Sequence, residues 1–162
     1  MTFVENVLTG HRTRLNFYDF TLDWFTLDNG IRQGDPLSMI LCLYYNADVL
    51  DIARGRDEMV LGYVDDIAVV AAAKTFEQAH SAINDMMIRA GGAFNWSEAH
   101  NSSFETSKSV LMDFTWSRTA MCMPMQVKGT TLSPQPTHRF LGVLMDQELW
   151  WGHQASHAVT KP

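Results

Sequence analysis

The sequence predicts an α+β fold in which an antiparallel sheet carries helices on one face. Two observations carry this expectation. Short segments rich in β-branched and aromatic residues recur between turn residues, whereas longer stretches place apolar residues at three- and four-residue steps. With 162 residues, 46% of them hydrophobic and 11% aromatic, the chain is long and apolar enough to build a core. It shows no internal repeat, low-complexity tract or linker.

The elements follow in order. Thr2 to Gly10 reads as a short helix, with Phe3, Val4, Val7 and Leu8 at helical spacing and Gly10 as its stop. LNFYDF and WFTLDNG read as two extended stretches, the second ending in the turn signal Asn29-Gly30. In GIRQGDPLSMILCLYYNADVL, Asp35 caps a helix that has Pro36 at its first position, where the missing N–H costs nothing. From Leu37 to Leu50 that helix is apolar on most sides, so burial is expected.

EMVLGY and IAVVAA then flank Asp65-Asp66 as the strands of a hairpin. Thr75 and Gln78 form a capping-box pattern before a helix whose face runs through Phe76, Ala79, Ile83, Met86, Ala90 and Phe94. A polar loop around WSEAHNSS leads to a strand candidate, KSVLMDF. Pro124, Pro134 and Pro136 bracket a hairpin, MQVKGTTL, before a strand RFLGVLMD and a Trp-rich tail.

Charge and cysteine content narrow the function. Lys plus Arg number 12 against 18 Asp plus Glu, and a net charge of −6 gives no broad attraction to nucleic acid. A polynucleotide partner would need basic residues gathered locally. Cys42 and Cys122 lie far apart without a CxxC pair, which points to neither a disulfide scaffold nor a zinc site, and to a reducing compartment. The N-terminus lacks a signal-peptide stretch, and MILCLYY falls far short of a membrane span, so a soluble, intracellular protein without a membrane partner is expected.

Two stretches carry chemistry. Adjacent carboxylates repel, a cost that a cation offsets, and a turn at Asp65-Asp66 lets both serve a hard divalent ion such as Mg²⁺. Gly62, just before the tip, removes a side chain where a substrate could approach. Taken alone, an ordinary polar turn is the plainer reading of the pair. In GIRQGDPLS, Arg32, Gln33 and Gly34 stand before a helix N-terminus, where exposed N–H groups attract anions and Gln33 could bond a base edge or sugar. A well-capped helix start is the plainer alternative.

Taken together, QGDPLS followed closely by YVDD resembles the reverse-transcriptase palm. NGIRQGDPLSMILCLYYNADVL, GYVDDIAVVAA, FEQAHSAINDMM, WSEAHNSSFETSKSVLMDF and FLGVLMDQELWW all look like the reverse transcriptase of fungal non-LTR retrotransposons. The resemblance implies a polymerase palm-like (RRM/ferredoxin-like) sheet and an RNA-templated DNA polymerase acting on an RNA template, a DNA primer and a dNTP. Asp65 and Asp66 would bind two Mg²⁺ ions, with Mn²⁺ as a substitute, for an in-line nucleotidyl transfer. Tyr63 and Val64 would lie beside the primer end, and Arg32, Gln33 and Gly34 would contact template and nucleotide. Lys108 matches a palm lysine proposed to serve pyrophosphate, against the simpler role of an exposed strand lysine. Phe140, Leu141 and Gly142 match a primer-gripping hairpin, although their apolar character also suits core packing.

The resemblance also implies a departure. Palm polymerases use a third carboxylate on a strand further upstream, and Asp19, Asp23 and Asp28 fall in the hairpin just before QG, too close to supply it. The expected organisation is therefore partial fingers and palm over 1–148 and a tail over 149–162, incomplete at the N-terminus, with the first palm strand and the thumb belonging to a longer parent polyprotein. An active element would place the protein in the nucleus. A decayed, non-catalytic remnant or nucleic-acid-binding leftover is the alternative. A palm-like nucleotide cyclase is a third reading, disfavoured because QGDPLS would have no template to contact.

Weaker constellations complete the survey. His153 and His157 have helical metal-ligand spacing without a third ligand nearby, MCMPMQ suits core filling, and Trp150-Trp151 could stack on bases or pack. With only two catalytic carboxylates, the purified chain is expected to show no template-dependent nucleotide addition in a primer-extension assay; measurable extension would refute that.

Overall fold

The computed structural model describes residues 2–27, 30, 34–117 and 122–160. The chain divides into two compact units, Met1–Tyr45 and Asn46–Pro162.

In the first unit, helix α1 (Thr2–Leu8) ends where Thr9 N–H and Oγ1 both donate to the Glu5 carbonyl, at 3.0 and 2.7 Å. Gly10 leaves it at φ 69°, as its position predicts. Strand β1 (His11–Thr13) pairs antiparallel with β4 (Phe25–Leu27), and between them β2 (Asn16–Phe17) pairs with β3 (Phe20–Thr21). LNFYDF is therefore not one extended stretch. Its own turn at Tyr18, φ 47°, doubles it back, so Phe17 faces Phe20 across the ladder. Asn29 lies outside the described residues.

Helix α2 (Pro36–Asn46) begins as expected: Asp35 Oδ1 accepts the Leu37 N–H at 2.9 Å. It ends earlier, tightening into a 3-10 turn over Ala47–Ile52. The expected burial is also corrected. Ser38 is buried, but Met39, Ile40, Leu43 and Tyr44 are exposed. Apolar residues on every side mean that a helix could be covered all round; they do not supply the covering layer.

The second unit holds the core. Val49, Ile52, Ala93 and Trp96 form one buried cluster against Val60, Ile67 and Val69; Leu111, Met125 and Val127 form another against Ile83, Phe94 and Leu132. Each such aliphatic side chain contributes about 1.5–3 kcal/mol on burial. Met87 touches both clusters. It lies on α3 (Phe76–Ile88), whose Thr75 cap accepts the Gln78 N–H at 3.3 Å.

The helical face expected to reach Ala90 and Phe94 is cut short after Ile88. Gly92 sits so close to the preceding turn that a Cβ there would lie 2.5 Å from the Met86 carbonyl oxygen. The chain restarts as α4 (Ala93–Ala99), which buries Trp96 and Ser97. WSEA is thus helical, not loop: Trp96 brings more apolar surface than its polar neighbours can keep in water.

The strands pair only in twos. Besides β1–β4 and β2–β3, β5 (Glu58–Tyr63) pairs with β6 (Asp66–Ala71), β7 (Met125–Val127) with β8 (Thr130–Leu132), and β9 (Thr137–Phe140) with β10 (Val143–Asp146). The single sheet expected from the sequence is not formed among the described residues. KSVLMDF contributes one bridge, Leu111 to Pro134, because proline has no N–H to extend a ladder. RFLGVLMD is a hairpin, not a strand: Leu141 and Gly142 turn it at φ 50° and 84°, as Lys128 and Gly129 turn MQVKGTTL at 46° and 81°. Helix α5 (Gly152–Thr160) closes the described chain.

Polar contacts tie these pieces. Arg89, just past α3, grips Glu58 at the start of β5 with both ends of its fork, at 3.2 and 2.7 Å. It also donates to Asp85 at 3.0 Å and to the Ile52 carbonyl. Arg54 reciprocates, donating to the carbonyls of Ala90 and Gly91 at 3.0 and 3.2 Å. The N–H groups of Arg54 and Gly55 reach Glu58 Oε2 at 2.9 and 3.0 Å. The bonds from Arg89, with those two N–H groups, lower the Glu58 pKa from 4.5 to about 2.

Glu58 therefore stabilises the fold fully above its unfolded pKa, and this contribution is lost as pH falls from 4.5 toward 2. Urea denaturation should show Glu58→Gln less stable than the wild type by about 2 kcal/mol at pH 7. That gap should close through the acid range; a gap independent of pH would refute the assignment.

Candidate functional site

The β5–β6 hairpin positions the adjacent acids. Six residue pairs from Glu58–Ala71 to Tyr63–Asp66 set its register, which leaves a two-residue loop, Val64-Asp65. Val64 lies at φ 57°. A left-handed conformation in this first loop position is the type II′ pattern that matches strand twist, and it costs a β-branched residue about 1–2 kcal/mol. Asn46 helps hold it, its Nδ2 donating to the Val64 carbonyl at 2.9 Å.

Asp65 occupies the loop and Asp66 the first position of β6, and both are exposed. Among the described residues neither carboxylate has a hydrogen-bond or ion-pair partner, so their oxygens are free for a cation. Tyr63, exposed as well, faces Asp66 across the ladder. The hairpin thus brings Tyr63, Val64, Asp65 and Asp66 to one tip. Mg²⁺ commonly takes one or two carboxylates and completes its shell with water and phosphate oxygens, so this all-oxygen pair fits one edge of such a site.

Gly62 has a different role from the one expected. A Cβ there would meet Leu50 Cδ2 at 3.1 Å, so the absent side chain makes room for Leu50.

The other candidates belong to other elements of the chain. Gly34 adopts φ 85° just before the Asp35 cap, a conformation that suits glycine. Arg32 and Gln33 lie outside the described residues. Lys108 is not on a strand but on a short 3-10 turn, Thr106–Lys108; its side chain is 82% exposed and its Nζ lies 3.8 Å from Glu105 Oε2. Phe140, Leu141 and Gly142 do share a hairpin tip, where Phe140 is half-buried and Leu141 exposed. Core packing therefore does not account for Leu141.

Of the weaker constellations, His153 and His157 sit one turn apart on α5, and Arg139 engages His157 Nε2 at 2.9 Å. Met125 is buried as filler, whereas Met123 is exposed. Among the described residues no three His, Cys, Asp or Glu side chains gather as a ligand set, and no helix is long and apolar enough to cross a membrane.

Reasoning from sequence missed three supports of this region: Asn46, the Glu58–Arg89 fork and the strained Val64. Only Asn46 left a trace, as an amide closing an otherwise apolar run.

Over 130 residues, 76% of this chain, the sequence is 27% identical to the "RNA-directed DNA polymerase from mobile element jockey" of Drosophila funebris. The chain matches 14% of that protein's length. No protein-family profile matches the chain, and no solved structure matches it. The chain is thus distantly similar in sequence to a mobile-element reverse transcriptase.

Val64→Gly removes the steric cost at the tip but adds chain entropy to the unfolded state, leaving a net gain of up to about 1 kcal/mol. Thermal denaturation should show a higher melting temperature; a clearly lower one would mean that Val64 contributes packing that outweighs its strain.

Proposed function

We propose that this chain is the palm portion of an RNA-directed DNA polymerase of the non-LTR retrotransposon class, of the kind found in fungi. One observation carries the proposal: Asp65 and Asp66 stand exposed, with no partner among the described residues, at the tip of a hairpin whose two-residue loop is held in a strained conformation. Sites that keep costly backbone geometry are enriched in function. The distant similarity to a mobile-element polymerase supports the same reading.

In this proposal Asp65 and Asp66 hold divalent metal against the triphosphate of a dNTP. Bound Mg²⁺ supplies neutralisation of phosphate charge and orients the in-line displacement. Asn46 keeps the loop from relaxing, so the carboxylates meet the phosphates without reorganising. Tyr63 and Val64 flank the primer terminus, Arg32, Gln33 and Gly34 serve template and nucleotide, Lys108 meets the leaving pyrophosphate, and the Phe140–Leu141–Gly142 tip contacts the primer. RNA template, DNA primer and dNTP are the partners. A second reading, a non-catalytic nucleic-acid-binding remnant, draws support from the lack of a third clustered ligand among the described residues.

Paramagnetic Mn²⁺ tests the metal site directly. Amide resonances of Tyr63 to Ile67 should broaden at low Mn²⁺, and Asp65→Asn with Asp66→Asn should weaken the effect about tenfold or more. Equal broadening in that double variant, or none in the wild type, would refute the proposal.

A further inference from the structure

Helix α5 is docked by polar contacts instead of apolar ones. None of its residues is buried, and only Gln154 and His157, three apart on one face, are even half-buried. Its nine residues fall short of the ~12–15 that an isolated helix needs to be marginally stable, so its order depends on what holds it. Gln154 meets the edge of β10. The two-residue loop Leu141-Gly142 makes Phe140 and Val143 the hydrogen-bonded closing pair, so the next pair, Arg139 and Leu144, turns its N–H groups outward. Gln154 Oε1 accepts the outward Leu144 N–H at 2.8 Å. The approach to the helix is fixed as well. Asp146, the buried last residue of β10, accepts the Trp150 N–H on Oδ1 and the Trp151 N–H on Oδ2, each at 3.0 Å. Those bonds hold a turn in which Leu149 and Trp151 adopt φ of 54° and 60°.

The second contact is His157 with Arg139, whose Nη2 lies 2.9 Å from the imidazole Nε2. A guanidinium carries only donors, so this is a hydrogen bond only while Nε2 accepts, with the ring neutral and its proton on Nδ1. Protonation makes both ring nitrogens donors and sets two cations against each other. The charged and titratable residues of the elements beside α5 are His138 and Arg139 on β9, Asp146 on β10 and Glu148 in the turn, with His153 on α5 itself. None of them relieves the clash. Asp146 has committed both oxygens to backbone N–H groups, and His138 leaves β9 on the face opposite Arg139. His153, one turn earlier, adds a further positive charge in acid. Among the described residues no carboxylate forms an ion pair with Arg139 or His157, so nothing there compensates an imidazolium.

We propose that Arg139 and His157 form a pH-sensitive latch, which holds α5 on the β9–β10 hairpin while the imidazole is neutral and releases it on protonation. The docked state binds one proton fewer than the released state. Docking is therefore fully present at higher pH and is lost as pH falls through the range in which imidazoles take up a proton, about 6.5. Release withdraws Gln154 with the helix, and the Leu144 N–H becomes a bare donor on the edge of β10. The hinge lies just past Trp151, because Asp146 holds the turn before it. The latch involves neither a metal nor the acidic tip, so it stands or falls independently of the polymerase reading.

Hydrogen exchange of the full chain, read by NMR at the Leu144 amide, tests the latch. The protection factor, which already allows for the intrinsic effect of pH on exchange, should fall about tenfold between about pH 7.5 and about pH 5.5. That lies within the ceiling of about tenfold per pH unit that a single proton sets. His157→Gln gives Arg139 an acceptor that does not titrate and should keep protection level across the range, whereas His153→Gln should leave the fall in place. In the unmodified chain the His157 ring resonances and the Leu144 amide shift should titrate with one midpoint, a readout that needs no variant. Unchanging protection in the wild type, an equal fall in folded His157→Gln, loss of the fall in folded His153→Gln, or separate midpoints would each overturn the proposal.

Discussion

The forked bond between Arg89 and Glu58 is the constraint on which the second unit depends. Glu58 begins the strand that leads to the acidic tip, and Arg89 ends the helix that spans both apolar clusters. Neither cluster alone sets the hairpin's direction, because hydrophobic contact is non-directional. A planar guanidinium meeting a carboxylate through two parallel bonds is directional. The reciprocal bonds of Arg54 to the Ala90 and Gly91 carbonyls cap the same junction from the other side. Its geometry is therefore specified twice.

From that anchored base the hairpin runs six pairs to a tip made of its least comfortable residues. Val64 in a left-handed conformation, next to two carboxylates that have no partner among the described residues, is poor design for stability alone. The Asn46 amide bond offsets part of the cost and suppresses the loop's freedom. In the proposed reading, rigid presentation of the two charges is what a metal-dependent phosphoryl site would use.

The turn after β10 repeats this logic with different chemistry. There the buried Asp146 carboxylate spends both oxygens on the backbone N–H groups of Trp150 and Trp151. In both places strain at the backbone is held by a polar side chain.

Local signals in the sequence determined much of the fold. The Asp35 cap, the Thr75 cap, the Gly10 stop, the Lys128-Gly129 turn and the two strands beside Asp65-Asp66 are interactions among neighbours a few residues apart, so the order of amino acids suffices to specify them. The acidic tip was legible for that reason. Tertiary structure alone decided the rest. Whether α2 is covered, where α3 breaks, that WSEA turns inward, and which distant groups steady the tip all depend on contacts such as Arg89 with Glu58 or Asn46 with Val64. Those partners stand 31 and 18 residues apart, a separation at which periodicity and capping rules carry no information about who meets whom.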